Sequence, residues 1–304
     1  MARAADTKNA DRPRTHLGPA LLRRSLALLT EQELTDWRNS LLRSKTKHGK
    51  KLTPASINRT MSTVRAALTF KGLERAHIWR NGLQRLPNAE KTRNKLFVLP
   101  DAMICALVAD AYTRDAKLGL LCEVLSETGA RPSQAARLKV GYLIEHATAP
   151  RLSMPKSGKG GGKLRAEKKN QTYPVPISVG LAAKLKQAAA GRADDDRLLL
   201  RADGSPLNER DAHADYREPF AEIVKALGLN AKLTAYCFRH SSITRQLLRG
   251  VPVRVTASHH DTSVRMIEST YSKYIVDHSD QLTRAALLDH TAAPTADNVI
   301  SMVR

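Results

Sequence analysis

The stretch LQRLPNAEKTRNK (83–95) is rich in Pro, Asn and Lys and poor in apolar residues, and it separates two regions that each carry their own helical periodicity. A segment of that composition has little to bury, so the 304 residues are expected to build two cores instead of one. The division runs as a polar extension at 1–19, a helical first domain at 20–90, a linker at 91–97, a second domain at 98–289 and a tail at 290–304. At 42% hydrophobic residues the chain has the apolar material for both cores.

In the first domain, Thr30 stands three residues before Glu33, the spacing of a capping box, and Leu34, Trp37, Leu41 and Leu42 follow at helical intervals. A second helix is predicted from the Thr53 cap and Pro54, with Ile57, Met61, Val64 and Leu68 on its apolar face and Asn58, Arg59 and Arg65 opposite. Beyond residue 98 the pattern stays mainly helical. DAMICALVADAYT, KLGLLCEVLSETG and PSQAARLKV read as successive helices, the second closed by Gly129. RLSMPK (151–156) and QTYPVPIS (171–178) alternate as strands and predict a hairpin around a Gly/Lys-rich loop. Further helices are expected near 180–190, 208–227, 238–249, 263–274 and 278–289. In the last of these, Leu282, Ala285, Ala286 and Leu288 form an apolar side suited either to a neighbouring copy or to its own domain. The fold class is therefore mainly α, with one small β-hairpin or sheet in the second domain.

Charge narrows the partners. The 50 Lys and Arg against 29 Asp and Glu leave a net charge of +21, and residues 1–97 alone hold 21 cations against 7 anions. Such a surface attracts polyanions, nucleic acid first and an anionic membrane surface second. No apolar run reaches the roughly 18 residues of a membrane span. Cys105, Cys122 and Cys237 are too far apart for a C-x-x-C site and read as small core residues in a reducing, cytoplasmic compartment.

Most catalytic devices are excluded by spacing. SGKGGGK (157–163) has Ser where a phosphate loop needs its first Gly, and Leu164 follows the lysine in place of Ser or Thr. His259 and His260 are adjacent and cannot chelate as an i, i+4 pair. Neither metal nor nucleotide cofactor is indicated. What remains is ETGARPSQ (127–134), YCFRHSSITRQLLRG (236–250) and SHHDTSVRMIESTYSKYI (258–275), three blocks rich in Arg, His and Tyr.

These blocks, in this order, resemble the tyrosine recombinase or phage integrase family over roughly residues 20–285. The resemblance implies a basic core-binding domain and a catalytic domain closing as a clamp on double-stranded DNA, and a homo-tetramer on paired DNA sites. Carried over position by position, it implies that Tyr271 is the nucleophile and that Arg131 and Arg239 hold the scissile phosphate. It further implies that Lys156 protonates the departing 5′-oxygen and that His260 is the later active-site histidine, eleven residues before Tyr271. Lys159, Lys163, Lys168 and Lys169 are rivals to Lys156, His259 to His260, and Tyr274 to Tyr271. Two positions depart from the family: Tyr236, a further catalytic candidate, stands where a histidine is usual, its phenol able to donate a hydrogen bond to the phosphate but a poor proton shuttle near neutral pH, and Gln134 stands where an acid is commonest.

The chemistry agrees with the residue types. Paired arginines can hydrogen-bond the charge that builds on a phosphodiester under attack without losing a proton. A tyrosine, with an ordinary pKa near 10, is favoured as phenolate by such cations, and a phosphotyrosine conserves the bond energy for rejoining. Alone, each arginine or tyrosine would be read as surface or core; the ordered blocks give them meaning. The implied activity is site-specific DNA recombination or integration without metal or ATP, with a topoisomerase IB-like relaxing enzyme and a non-catalytic DNA-binding protein as alternatives. His240, next to Arg239, reads as a packing or orienting residue.

Overall fold

The computed structural model describes residues 13–45, 49–87, 97–157, 170–209 and 211–276 together with 280, 283, 284 and 287, with no side chain described over 272–276. The chain divides into two compact units, Met1–Lys95 and Leu96–Arg304.

The main elements described in the first unit are helices, α1 (Pro19–Arg23), α2 (Glu31–Arg43), α3 (Pro54–Lys71) and α4 (Ala76–Gly82), with a single antiparallel bridge between Lys45 and Lys51. The capping box forms as expected. Glu33 N–H donates to Thr30 Oγ1 at 3.2 Å and Thr30 N–H donates to the Glu33 carboxylate at 2.8 Å, satisfying two donors that the start of α2 leaves open. Thr53 caps α3 through its hydroxyl, which accepts from Ser56 N–H at 3.2 Å, with Pro54 at the first turn. Leu34, Trp37 and Leu41 meet Ile57, Met61, Val64, Trp79 and Leu83 in one core. Leu42 was expected in that stripe, but it lies a further 100° around the helix from Leu41 and is 43% exposed.

Asn58 also departs from expectation. It does not share the exposed face of Arg59 but is buried, its side-chain amide donating to Leu86 O at 3.0 Å and its carbonyl accepting from Leu86 N–H at 2.8 Å. Position 58 follows Ile57 on the core-facing edge of α3, and both backbone groups of Leu86 need partners there. Arg59 is exposed and Arg65 half-buried.

The second unit is built on α5 (Asp101–Arg114) and α6 (Ala116–Thr128), which pack together, with α10 (Tyr236–Leu248) against the other side of α6. Between them come α7 (Pro132–Ala135), β1 (Leu143–Ile144), β2 (Arg151–Pro155), β3 (Thr172–Pro176), α8 (Val179–Ala189) and α9 (Ala212–Ala226). Two helices follow α10: α11 (Val253–His259) and α12 (Val264–Val276). The strands form an antiparallel sheet in the order β1-β2-β3, with Leu152 opposite Val175 and Met154 opposite Tyr173. Pro174 and Pro176 are tolerated because β3 is an edge strand. Leu152, Met154 and Val175 point into the core shared with α6.

Three expectations are modified here. The predicted helix PSQAARLKV stops after α7, because Leu138 and Val140 pair their backbones with the segment at 196–198. Cys105 is exposed on α5, whereas Cys122 and Cys237 are buried. The helix α11 was not anticipated. Of the helix predicted at 278–289, the apolar positions Leu282, Ala285, Ala286 and Leu288 lie outside the described residues, as do the loop lysines Lys159, Lys163, Lys168 and Lys169.

Candidate active site

α6 ends at Gly129, whose φ of +57° turns the chain back and lets residues 130 and 131 run under α10. Arg131 caps α7 and is 8% exposed. Its Nη1 donates to Gln134 Oε1 at 3.3 Å and to Asp261 O at 3.2 Å and lies 3.5 Å from Asp261 Oδ2. Its Nε is buried without a hydrogen-bond partner.

Arg239, one turn into α10, is 4% exposed and donates to the carbonyls of Gly129 at 2.8 Å and His260 at 2.6 Å. Burial, then the neighbouring Arg131 charge, lowers its pKa. Two buried cations in one region repel each other, and the Asp261 carboxylate beside Arg131 offsets part of that cost.

His260 lies directly behind. Its ring is fully buried, Nδ1 lying 2.9 Å from Thr256 O and Nε2 3.1 Å from Ser242 Oγ. The carbonyl can only accept, which assigns the proton to Nδ1 and leaves Nε2 to accept from the Ser242 hydroxyl. Burial and the Arg239 charge push His260 down to about 3, so the ring is neutral. Both ring nitrogens are thus engaged inside the domain, and it is the His260 carbonyl that touches an arginine.

The side chain at this turn that meets Arg131 is that of Asp261. It adopts φ +45°, a left-handed conformation that Asp tolerates better than most side chains, and it follows directly on α11. Its carboxylate accepts from Ser157 N–H at 2.7 Å and from Gln134 Nε2 at 3.3 Å besides meeting Arg131. Ser157 follows Lys156, so the same carboxylate ties the end of the hairpin strand to the arginine. The backbone of Lys156 is fixed on both sides: its carbonyl accepts from Arg137 Nη2 at 2.6 Å and its N–H donates to Gln171 O at 2.9 Å. Lys156 Nζ reaches Gln171 Oε1 at 3.3 Å.

Tyr271 is 4% exposed on α12, seated among Ile243, Leu247, Ala257 and Ile267, and its Oη lies 2.6 Å from Nδ1 of His240. The His240 ring is covered edge-on by Tyr236, with centroids 5.1 Å apart, and burial followed by the Arg239 charge pushes it down to about 4. Tyr236 is 39% exposed at the first turn of α10. Another tyrosine, Tyr173, borders the network through its hydroxyl, 3.4 Å from Gln134 Nε2, but burial pushes it up to about 12 and so holds its proton. Tyr274 falls where no side chain is described.

One hydrogen-bonded network therefore joins segments 129–134, 156–157, 239–242 and 260–261, and the bond from His240 extends it to Tyr271. It brings Arg131, Lys156, Tyr236, Arg239, His260 and Tyr271 into one region of the second unit, while Asn58, Arg59 and Arg65 belong to the first. Sequence reading missed Asp261, Arg137 and the partner of His240. Among the described residues, no group of three or more His, Cys, Asp or Glu is arranged to hold a metal ion.

Comparison with solved structures places the fold. The Tn1549 transposon integrase in complex with transposon right end DNA matches with a TM-score of 0.65 at 16% identity, over 91% of this chain and 92% of the other. The XerH site-specific recombinase bound to palindromic difH substrate gives 0.58 at 17% identity, over 86% and 73%. The chain has the tyrosine recombinase fold. A lambda integrase dimer bound to a COC′ core site shares that fold, with a TM-score of 0.57 at 16% identity over 94% and 73%. No family model matches the chain. In sequence it is 31% identical to transposase B from transposon PsiTn554 of Staphylococcus aureus over 138 residues, 43% of this chain but only 20% of that protein's length. Within the recombinase fold, the expected α-rich second domain with its small antiparallel sheet is present. No described helix is long and apolar enough to cross a membrane.

Proposed function

We propose that the protein is a site-specific DNA recombinase or integrase that cleaves duplex DNA through Tyr271, forming a 3′-phosphotyrosine and a free 5′-hydroxyl and then rejoining the strand to a partner. The observation that carries this reading is the pair of buried guanidiniums, Arg131 and Arg239, held in one network with Tyr271 and the hairpin lysine. The arginines receive the non-bridging oxygens, with the unpartnered Nε of Arg131 as a ready donor. Lys156, at the mouth of the hairpin, supplies the proton to the leaving oxygen. Asp261 and Arg137 hold these groups in register, and His260 packs behind Arg239 and fixes it through its carbonyl.

The charge and the protons are all supplied by side chains, so the reaction proceeds without metal or ATP. The basic first unit, with Arg59 and Arg65 on α3, serves as the core DNA-binding domain, the second unit as the catalytic domain, and four copies act on two DNA sites. Transposon and phage enzymes of this fold suggest integration or mobility of a DNA element as the role.

The test is incubation with nicked duplex DNA in EDTA. The wild-type protein is expected to give a protein–DNA band that survives SDS and Tyr271→Phe to give none. A protein that binds the DNA but forms no such band is a non-catalytic binder, and a band without exchange between two sites indicates a relaxing enzyme.

A further inference from the structure

We propose that His240 is a catalytic residue, accepting the proton of Tyr271 as the phenol attacks. The inference rests on the strand-transfer reading above. Its basis is the 2.6 Å approach of Tyr271 Oη to His240 Nδ1, in a position that is half-buried and removed from bulk water.

Three features make this contact more than packing. Tyr236 and His240 are one helical turn apart on α10, so the ring of Tyr236 lies against His240 and not against the nucleophile. The phenol of Tyr236 is a poor proton acceptor near neutral pH, whereas an imidazole accepts readily. The charged and titratable groups that face His240 are Arg239 and Tyr236 on its own helix and Tyr271 from α12. Burial, then the Arg239 charge, keeps the ring neutral, so that it can take a proton, but lowers its basicity. A phosphate seated between Arg131 and Arg239 would offset the opposing cations and stabilise the imidazolium when it forms.

The step balances. The Tyr271 O–H bond breaks and an Nδ1–H bond forms on His240; the tyrosyl oxygen bonds to phosphorus as the bond from phosphorus to the 5′-oxygen breaks. The 5′-oxygen takes its proton from Lys156. On rejoining, every proton moves the other way.

The experiment uses duplexes selected from a random-sequence pool by SDS-stable capture on the wild-type protein. They are resynthesised with oxygen or with sulfur at the scissile 5′-bridging position. A thiolate departs without a proton, so Lys156→Ala is expected to recover toward the wild-type rate on the sulfur substrate. His240→Ala is expected to stay about a hundredfold slow on both substrates, with added imidazole restoring part of the rate. His240→Gln, which can still hydrogen-bond the phenol but is not basic, is expected to fold, to bind the DNA as wild type in a mobility shift, and to remain slow. The proposal is overturned if His240→Ala or His240→Gln cleaves at the wild-type rate, or if either recovers on sulfur as Lys156→Ala does. If the wild type captures no duplex at all, it is the strand-transfer reading that fails, and this inference goes with it.

Discussion

Gly129 and His260 share a space that only a hydrogen atom can occupy: a Cβ at 129 would lie 2.5 Å from His260 Nε2 and 2.9 Å from Ser242 Oγ. The same glycine adopts φ +57° and offers its carbonyl to Arg239. Gly129→Ala therefore combines left-handed strain with a collision in the layer beneath the arginines, and we expect a loss of about 2–4 kcal/mol. Gly191→Ala is the control, since φ there is +74° but nothing lies within 4 Å of an added Cβ. It should cost about 1 kcal/mol, read by urea unfolding of both variants.

His260, buried, and His240, half-buried, set an acid limit. In the unfolded chain each protonates near pH 6.5, but in the fold His240 resists until about 4 and His260 until about 3. Their contribution is fully present above pH 6.5 and is lost as the pH falls through that window, since only the unfolded state gains the protons. Each adds a slope of roughly 1.4 kcal/mol per pH unit. His260→Asn is expected to be less stable at pH 7 yet to show a shallower loss between pH 6.5 and 4.5, measured by unfolding midpoints across that range.

Asn58 and Arg59 are neighbours with opposite duties. Asn58→Ala leaves both backbone groups of Leu86 unpaired in the core of the first unit and should cost about 1–3 kcal/mol. Arg59→Ala should leave the melting temperature alone and weaken DNA binding, lowering the slope of log affinity against log salt by about one. Thermal melts and salt-dependent mobility shifts separate the two.

Asp261 is the carboxylate that Gln134 does not supply. Asp261→Asn keeps a side chain that tolerates the left-handed turn and can still accept from Ser157 N–H, but it loses the charge beside Arg131. DNA affinity is expected to be unchanged or tighter, because an anion near the phosphate is gone, while cleavage slows about tenfold as Arg131 and Lys156 lose their common tether. Single-turnover cleavage at saturating protein reads the rate apart from the binding.

The features legible in the sequence are those decided within a few residues. Thr30 with Glu33, Thr53 with Pro54, and Gly129 announce helix ends because caps are local devices. The strands at 151–155 and 172–176 show the alternation of a sheet with one buried face. Arg131, Arg239 and Tyr271 stand out by their block order, and the fold brings them together. Asn58 could not be read, since its partner Leu86 is 28 residues away. The early end of α7 is a tertiary effect of backbone pairing with residues 196–198. Asp261 was hidden behind the histidine pair: which side chain of HHD meets Arg131 depends on a left-handed turn that only the folded chain reveals. His240 acquires its meaning from a helix that arrives 31 residues later.

In the proposed reaction Tyr271 becomes covalently bound to DNA. The most direct measurement is mass spectrometry of the nucleotide-linked peptide, recovered after wild-type protein is trapped on nicked duplex in EDTA and digested with nuclease and protease. The predicted result is a nucleotide adduct on the phenol of Tyr271, absent from Tyr271→Phe. An adduct on Tyr274, or on any residue outside the network around Arg131 and Arg239, would contradict it.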